Sequence, residues 1–342
     1  MTNRLAYRHA ARWRPRPTSV FDTFWRFAAE RQGVYFARLA DRDAPWTEDL
    51  VLREFRFTNV YRAADRVSQY LIKHVIYQDD IEVSPEDLVF RILLFKIFNR
   101  ISTWEVLERT VGPPTFRSYD FRKYDRALSS VLASDASIYS AAYIIPSPPP
   151  YGYQRKYRNH LALLEQMMRD RLPARLGRAR SMEEGFELLR GYPGIGTFLA
   201  YQFIVDLNYS DLTDFSENEF VVAGPGAVEG IRKAFLDSGG FSHADVIRMT
   251  EELQHEEFAR LGLRFDSLFG RPLHLIDCQN LFCEVAKYSR LAHPEFSLPG
   301  GRTRIKQRFS RSGRIACPWF PPKWEINEAV PNRQEECDSA WS

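Results

Sequence analysis

Four cysteines in 342 residues, Cys278, Cys283, Cys317 and Cys337, are too few and too unevenly spaced for a disulfide framework or a zinc ribbon, so reduced thiols are expected. Histidine is as scarce: there are seven, and His74, His160, His255 and His274 show no metal-ligand spacing. No metal and no cofactor is expected. No apolar run approaches the roughly 18 residues of a membrane span, and the arginines of Met1–Arg16 precede no apolar core, so no secretory leader is expected. A cytoplasmic location follows as the expectation. No G-x-x-x-x-G-K-[ST] loop occurs, which removes a self-contained P-loop kinase. A large charge excess is also lacking: at +3, nucleic-acid binding would have to come from local clusters of cations.

What is present is a composition of 44% hydrophobic and 27% charged residues, enough to bury a core of one large or two ordinary domains. The fold class expected is mainly α. Aromatics at helical spacing mark Phe21 to Leu39, and long segments with little alternation follow at Glu54 to Tyr77 and Glu86 to Asn99. The organisation expected is an extended basic arm over 1–20, a helical domain over 21–300, and a basic arm with a disordered acidic tail over 301–342. Gly301 to Ala316 carries six Arg/Lys and no acid. "SPPPYGY", Ser147 to Tyr153, is the candidate boundary between two lobes.

Three stretches carry candidate chemistry. In "YPGIGTFLAYQ" the pair Gly194 and Gly196, with Ile195 between them and Thr197 after, would leave uncovered amides at a helix start, where an anion can sit. With Glu183 to Arg190 read as a helix, the parse is helix, glycine hairpin, helix. Glu54 to Tyr77 read as one helix puts Asn59, Arg62, Asp65, Arg66, Gln69 and Lys73 on one face, either solvated or lining a groove. In Leu275 to Arg290, Asp277, Asn280, Glu284 and Lys287 align. Asp277 reads as an N-cap or as a carboxylate held ionised by the helix dipole, two compatible roles. Between them, Glu217, Asn218 and Glu219 precede Gly224-Pro225-Gly226, either a helix start at which backbone approaches something closely or a tight packing turn.

"YPGIGTFLAYQ" resembles the hairpin of the helix-hairpin-helix DNA glycosylase superfamily, which grips the DNA backbone while a nucleotide is flipped out. Together with "FTNVYRAADRVSQYL", "FRILLFKIFNRISTWE", "ENEFVVAGPGAVEGI" and "DCQNLFCEVAKY", over most of residues 13 to 291, it resembles the helical domain shared by phage 5-hydroxymethyluracil DNA kinases and the alpha-glutamyl/putrescinyl thymine pyrophosphorylases. Some bacterial members of that family resemble antiphage glycosylases acting on glucosylated hydroxymethylcytosine. Gly224 stands where the catalytic Asp of endonuclease III-type enzymes would fall, Thr197 and Phe198 stand where a lyase lysine would, and the four-cysteine cluster is missing.

What the resemblance implies is a helix-hairpin-helix glycosylase-like fold that binds modified phage DNA and excises a hypermodified pyrimidine, a monofunctional hydrolase of antiviral defence. Its catalytic carboxylates would be Asp277, then Glu217 and Glu219. Asn59, Arg62, Asp65, Arg66, Asn218, Gln279, Asn280, Glu284 and Lys287 would line the base pocket, and Gly194 to Thr197 with Gly224 and Gly226 would hold the DNA backbone. The alternatives are a pyrophosphorylase-like transferase on hydroxymethyluracil-derived bases, and a modified-DNA-binding module without catalysis.

Overall fold

The computed structural model describes residues 15–78, 83–141, 145–298, 300–310 and 315–331. The first fourteen residues of the expected N-terminal arm, and the acidic tail from residue 332 on, lie outside them. The described chain is mainly helical, and it divides into two units. Residues up to Asp65, Phe220–Pro318 and those from Glu325 on make the first; Arg66–Glu219 and Trp319–Trp324 make the second.

In chain order the first unit opens with α1 (Ser19–Leu39) and α2 (Leu50–Glu54). The second holds α3 (Arg66–Tyr70), α4 (Pro85–Phe98), α5 (Ile101–Val111), α6 (Phe121–Ala133), α7 (Lys156–Arg169), α8 (Leu172–Leu176), α9 (Met182–Arg190) and α10 (Thr197–Leu207). The chain then returns to the first unit with α11 (Pro225–Ala234), α12 (His243–Glu252), α13 (Gln254–Arg260) and α14 (Leu275–Ala292). A short antiparallel pair, β1 (Arg16–Pro17) with β2 (Phe235–Asp237), ties the start of the first unit to the end of α11.

The first unit is built on α1, α11 and α14. Thr18 caps α1 by accepting the amide of Val20, and the aromatics read from the sequence, Phe21, Phe24, Trp25 and Phe27, are buried. Phe24 meets Phe282 of α14 with ring centroids 4.6 Å apart. The helix α11 comes closer still: a Cβ on Gly230 would stand 2.1 Å from the carbonyl oxygen of Phe282, and one on Gly226 would stand 3.0 Å from Cys283 Sγ. Close helix packing therefore accounts for Gly226, one of the glycines expected at a DNA backbone. Gly230→Ala should destabilise the protein by about 3 kcal/mol or more, at or above the upper end of overpacking costs. Urea unfolding measures it, and an unchanged midpoint would refute the contact.

The second unit surrounds α4, which is buried on every side from Val89 to Phe98 and so central. Ser84 caps it, Pro85 occupies its first turn, and Asn99 ends it at φ 48°. Two cations lie inside. Arg91 is fully buried and donates to the carbonyls of His74 (3.3 Å), Val75 (2.9 Å) and Pro114 (3.2 Å) and to Gln78 Oε1 (2.7 Å). Its bonds to His74 and Val75 fall on the π-helical turn Leu71–Ile76, which follows α3. Lys96 stands 3.1 Å from Asp206 of α10.

Glu54 to Tyr77, expected as one helix, is instead the end of α2, an irregular stretch with a 3₁₀ turn at Arg62–Ala64, then α3 and the π turn. The single polar face drawn through Asn59 to Lys73 therefore does not exist, and its residues divide at Asp65/Arg66 between the units. Ser147 to Tyr153 lies inside the second unit, where Asn159 of α7 bonds to Ser147 and to both backbone groups of Tyr153. The described part of the C-terminal basic segment is not a free arm. Arg308 pairs with Phe55 in an isolated bridge flanked by Arg56 N to Gln307 O (3.0 Å) and Phe309 N to Glu54 O (2.9 Å). Trp319–Trp324 packs within the second unit, with Phe320 fully buried.

Candidate functional site

The backbone from Arg56 to Asp65 lies against α14 in the first unit because polar side chains replace the hydrogen bonds that a helix would have supplied. Thr58 N donates to Glu284 Oε2 (2.9 Å), and Asn280 Nδ2 reaches Thr58 Oγ1 (3.2 Å) and the Asn59 carbonyl (3.1 Å). Lys287 Nζ bonds Glu284 Oε2 and the Arg56 carbonyl, both at 2.8 Å. Asn59 closes the loop on itself, its amide donating to Asp65 Oδ1 (2.7 Å) and its side chain to the Ala64 carbonyl (2.7 Å). Below, the buried Asp277 accepts from Arg62 N through Oδ1 and from His274 N through Oδ2, both at 3.1 Å, the latter as half of the capping box of α14.

From α1, Arg31 reaches into this network. Its Nε donates to the Thr58 carbonyl (3.0 Å) and its Nη2 to Asn59 Oδ1 (2.6 Å), with the carboxylates of Asp65 and Glu284 near its charge. Burial lowers its pKa to about 10, so it stays cationic at neutral pH. Three neighbouring polar atoms, Arg31 Nη1, Gln32 Nε2 and Tyr35 Oη, are buried without a hydrogen-bond partner. Leaving such groups without partners opposes folding. Burial keeps the Tyr35 phenol protonated, and burial, opposed by the Asn59 amide and by Arg31, raises Asp65 to about 6. Arg31, Tyr35 and Asp65 together present a fixed cationic donor, a neutral hydroxyl and a carboxylate whose proton exchanges near neutrality.

Of the residues singled out in the sequence, the first unit gathers Asn59, Arg62, Asp65, Asp277, Asn280, Glu284 and Lys287 around one loop, and Gln279 is buried beside them with its amide on Cys283 Sγ at 3.2 Å. Arg66, Glu217, Asn218, Glu219 and the Gly194–Thr197 turn belong to the second unit. There Glu217 accepts from the Trp324 indole (3.0 Å), and Glu219 is exposed. Arg31 and Tyr35 were missed. Their signal was present: they continue the buried Phe24–Ala28 stripe of α1, where a charged residue on the apolar face needs an explanation.

In the second unit α9 and α10 are joined by the turn Gly191–Gly196. Gly194 adopts φ 80°, Ile195 is buried, and the start of α10 carries no side-chain cap, with Gly196 and Thr197 exposed. No helix among the described residues is long and apolar enough to cross a membrane.

Residues 18–298 match the family model described as "5-hmdU DNA kinase, helical domain". A relative named 5-hmdU DNA kinase, from Bacillus phage SP10, is 27% identical over 288 residues, which cover 79% of this chain and 45% of that protein. The chain thus spans less than half the length of this relative. No solved structure matches. These findings overturn the expected glycosylase: the family and the relative carry the name of a kinase, a phosphotransferase, and not of a hydrolase that excises bases. Neither comparison supports the relationship to DNA glycosylases. The transferase alternative agrees better with both names.

Proposed function

Because the chain belongs to the family of 5-hmdU DNA kinase helical domains, we propose that it holds a 5-hydroxymethylated uracil of DNA for group transfer to the hydroxymethyl oxygen. The match across residues 18–298 carries this reading, since that span includes every residue of the loop network. The cationic Arg31 and the Asp65 carboxyl in that network support it, because a pyrimidine edge with an added hydroxyl offers both an acceptor and a proton.

In this reading Asp65 takes the hydroxyl proton as the oxygen attacks phosphorus: the O–H bond breaks, an O–P bond forms, and the nucleoside diphosphate leaves. An aspartate accepts the substrate hydroxyl's proton in the same way in other kinases. The G-x-x-x-x-G-K-[ST] loop is not among these 342 residues. The test compares duplexes that differ only in 5-hydroxymethyluracil against thymine, scoring affinity and transfer of label from γ-labelled ATP. At least tenfold tighter binding of the modified duplex is expected, with label entering it alone. Equal affinity and no label would overturn the proposal.

The Gly194–Thr197 turn serves this reading as a contact to DNA phosphate through the open amides of α10. A Cβ on Gly196 meets nothing within 4 Å, so Gly196→Asp should fold normally. It should weaken binding about tenfold for modified and unmodified DNA alike, because phosphate contacts carry no sequence information. Unchanged affinity at matched salt would remove the turn from the interface.

A further inference from the structure

We propose that a cavity in the second unit, bounded by the end of α6, the segment around Ser137–Tyr139 and the start of α7, is a binding pocket for a nucleotide. Its residues all lie in that unit, so the inference does not rest on the reading given for the first.

The cavity measures about 650 Å³, within the range of roughly 300–1,000 Å³ of small-ligand sites. Its lining divides by chemistry. Leu132, Ala133 and Ile138 form an apolar floor above the buried Tyr157, Tyr139 supplies ring surface, and Arg155 and Lys156 supply charge, with no acid among the lining residues. Asp125 of α6 is taken up by a two-pronged bond from Arg158 (2.6 and 2.9 Å) and by the Tyr157 hydroxyl (2.6 Å), with the charge of Arg155 also near it, and the exposed Asp135 stands between Ala133 and Ser137 in the chain.

The wall is built to hold its shape. Tyr139 donates its hydroxyl proton to His160 Nδ1 (2.7 Å), and His160 Nε2 donates to the Pro146 carbonyl (2.9 Å). Burial lowers His160 to about 4, so at neutral pH the ring is uncharged and this tautomer persists. Lys156 Nζ lies 4.6 Å from the centroid of the Tyr139 ring, and burial lowers its pKa. A partly desolvated ammonium beside an aromatic face pairs strongly with an arriving anion.

Two simpler ligands fit worse. A bare inorganic anion has no use for an apolar floor and a ring, and a purely apolar ligand would leave the Lys156 ammonium without a counter-charge. A nucleoside phosphate satisfies both halves: the base packs on the ring and aliphatic surface, and the phosphate meets the cations. The nucleotide comes either free, as a mononucleotide, or as part of a DNA strand; the chemistry of recognition is shared.

Two probes separate these sources on the full chain: N-methylanthraniloyl-ATP, followed by fluorescence, and a fluorescein-labelled unmodified 12-nucleotide strand, followed by anisotropy at fixed salt. Ala133 and Ser137 are exposed, so Ala133→Trp and Ser137→Trp fill the cavity without disturbing the core, and thermal melting checks each fold. At least tenfold weaker binding of one probe by a folded filling variant, and about fivefold by Lys156→Ala, is the expected result. Loss confined to the mononucleotide, with displacement by unlabelled AMP, identifies a free nucleotide; loss confined to the strand identifies DNA. Wild-type affinity for both probes in both filling variants, or no binding of either probe by the unaltered chain at 1 mM, would overturn the assignment.

Discussion

Asp65→Asn is expected to lower label transfer to 5-hydroxymethyluracil DNA by about 10²–10⁴-fold, the contribution of a positioned general base, while leaving DNA affinity within a few fold. An asparagine can still accept the Asn59 amide that Asp65 Oδ1 now receives at 2.7 Å, so the loop keeps its anchor. What it cannot do is take a proton. The pH profile separates chemistry from architecture: with Asp65 raised to about 6, mainly by burial, transfer by the unaltered chain should rise as the pH climbs through that value. The variant's residual rate should show no step there.

The same shift has a thermodynamic sign. The folded value of about 6 exceeds the ordinary 3.8, so between the two the native state holds a proton that the unfolded chain has lost. Asp65 therefore erodes stability as the pH rises from about 3.8 to about 6, and Asp65→Asn should remove that component. A variant with full transfer activity, or with an unaltered step in its pH profile, would exclude Asp65 as the base.

Asp206→Ala should cost about 3–5 kcal/mol, the penalty for stranding one partner of a buried ion pair. Lys96 and Asp206 have side chains only 5% and 0% exposed, with 3.1 Å between Nζ and Oδ2. Lys96 also donates to Asn99 Oδ1 (2.8 Å), which fixes the residue that ends α4. Without the carboxylate the buried ammonium loses the opposite charge beside it, and either keeping its own charge or giving up its proton opposes folding. Against a total stability of roughly 5–15 kcal/mol the loss is large. The double variant Lys96→Met, Asp206→Leu should recover most of it, because the cost lies in the unpaired charge and not in the missing pair. Urea unfolding tests both, and a single variant with an unshifted midpoint would show that Lys96 is paired otherwise.

Local pattern sufficed for α1, α4 and the α9–α10 hairpin, each of which meets its own rules for capping, periodicity or glycine placement. It failed for Glu54 to Tyr77, where the spacing of apolar residues suits a helix but the hydrogen bonds that decide the matter come from elsewhere. Thr58 is held by Glu284, 226 residues away, and the π turn by Arg91. The basic run after Gly301 misled for a similar reason: Gln307 and Phe309 are fixed by backbone bonds to Arg56 and Glu54, which charge counting does not reveal.

The sequence by itself determined the helical class, because apolar periodicity and caps are written in neighbouring residues. It also grouped Asp277, Asn280, Glu284 and Lys287, which share one face of one helix and all bond to the Arg56–Arg62 segment. Only the tertiary structure decided that this face holds a loop, that Arg31 bonds to that loop, and that Gly226 and Gly230 pack closely against α14. Those outcomes depend on burial and on partners distant in the chain, and the free energy of a buried charge or a close backbone contact is set by its surroundings, not by its neighbours in sequence.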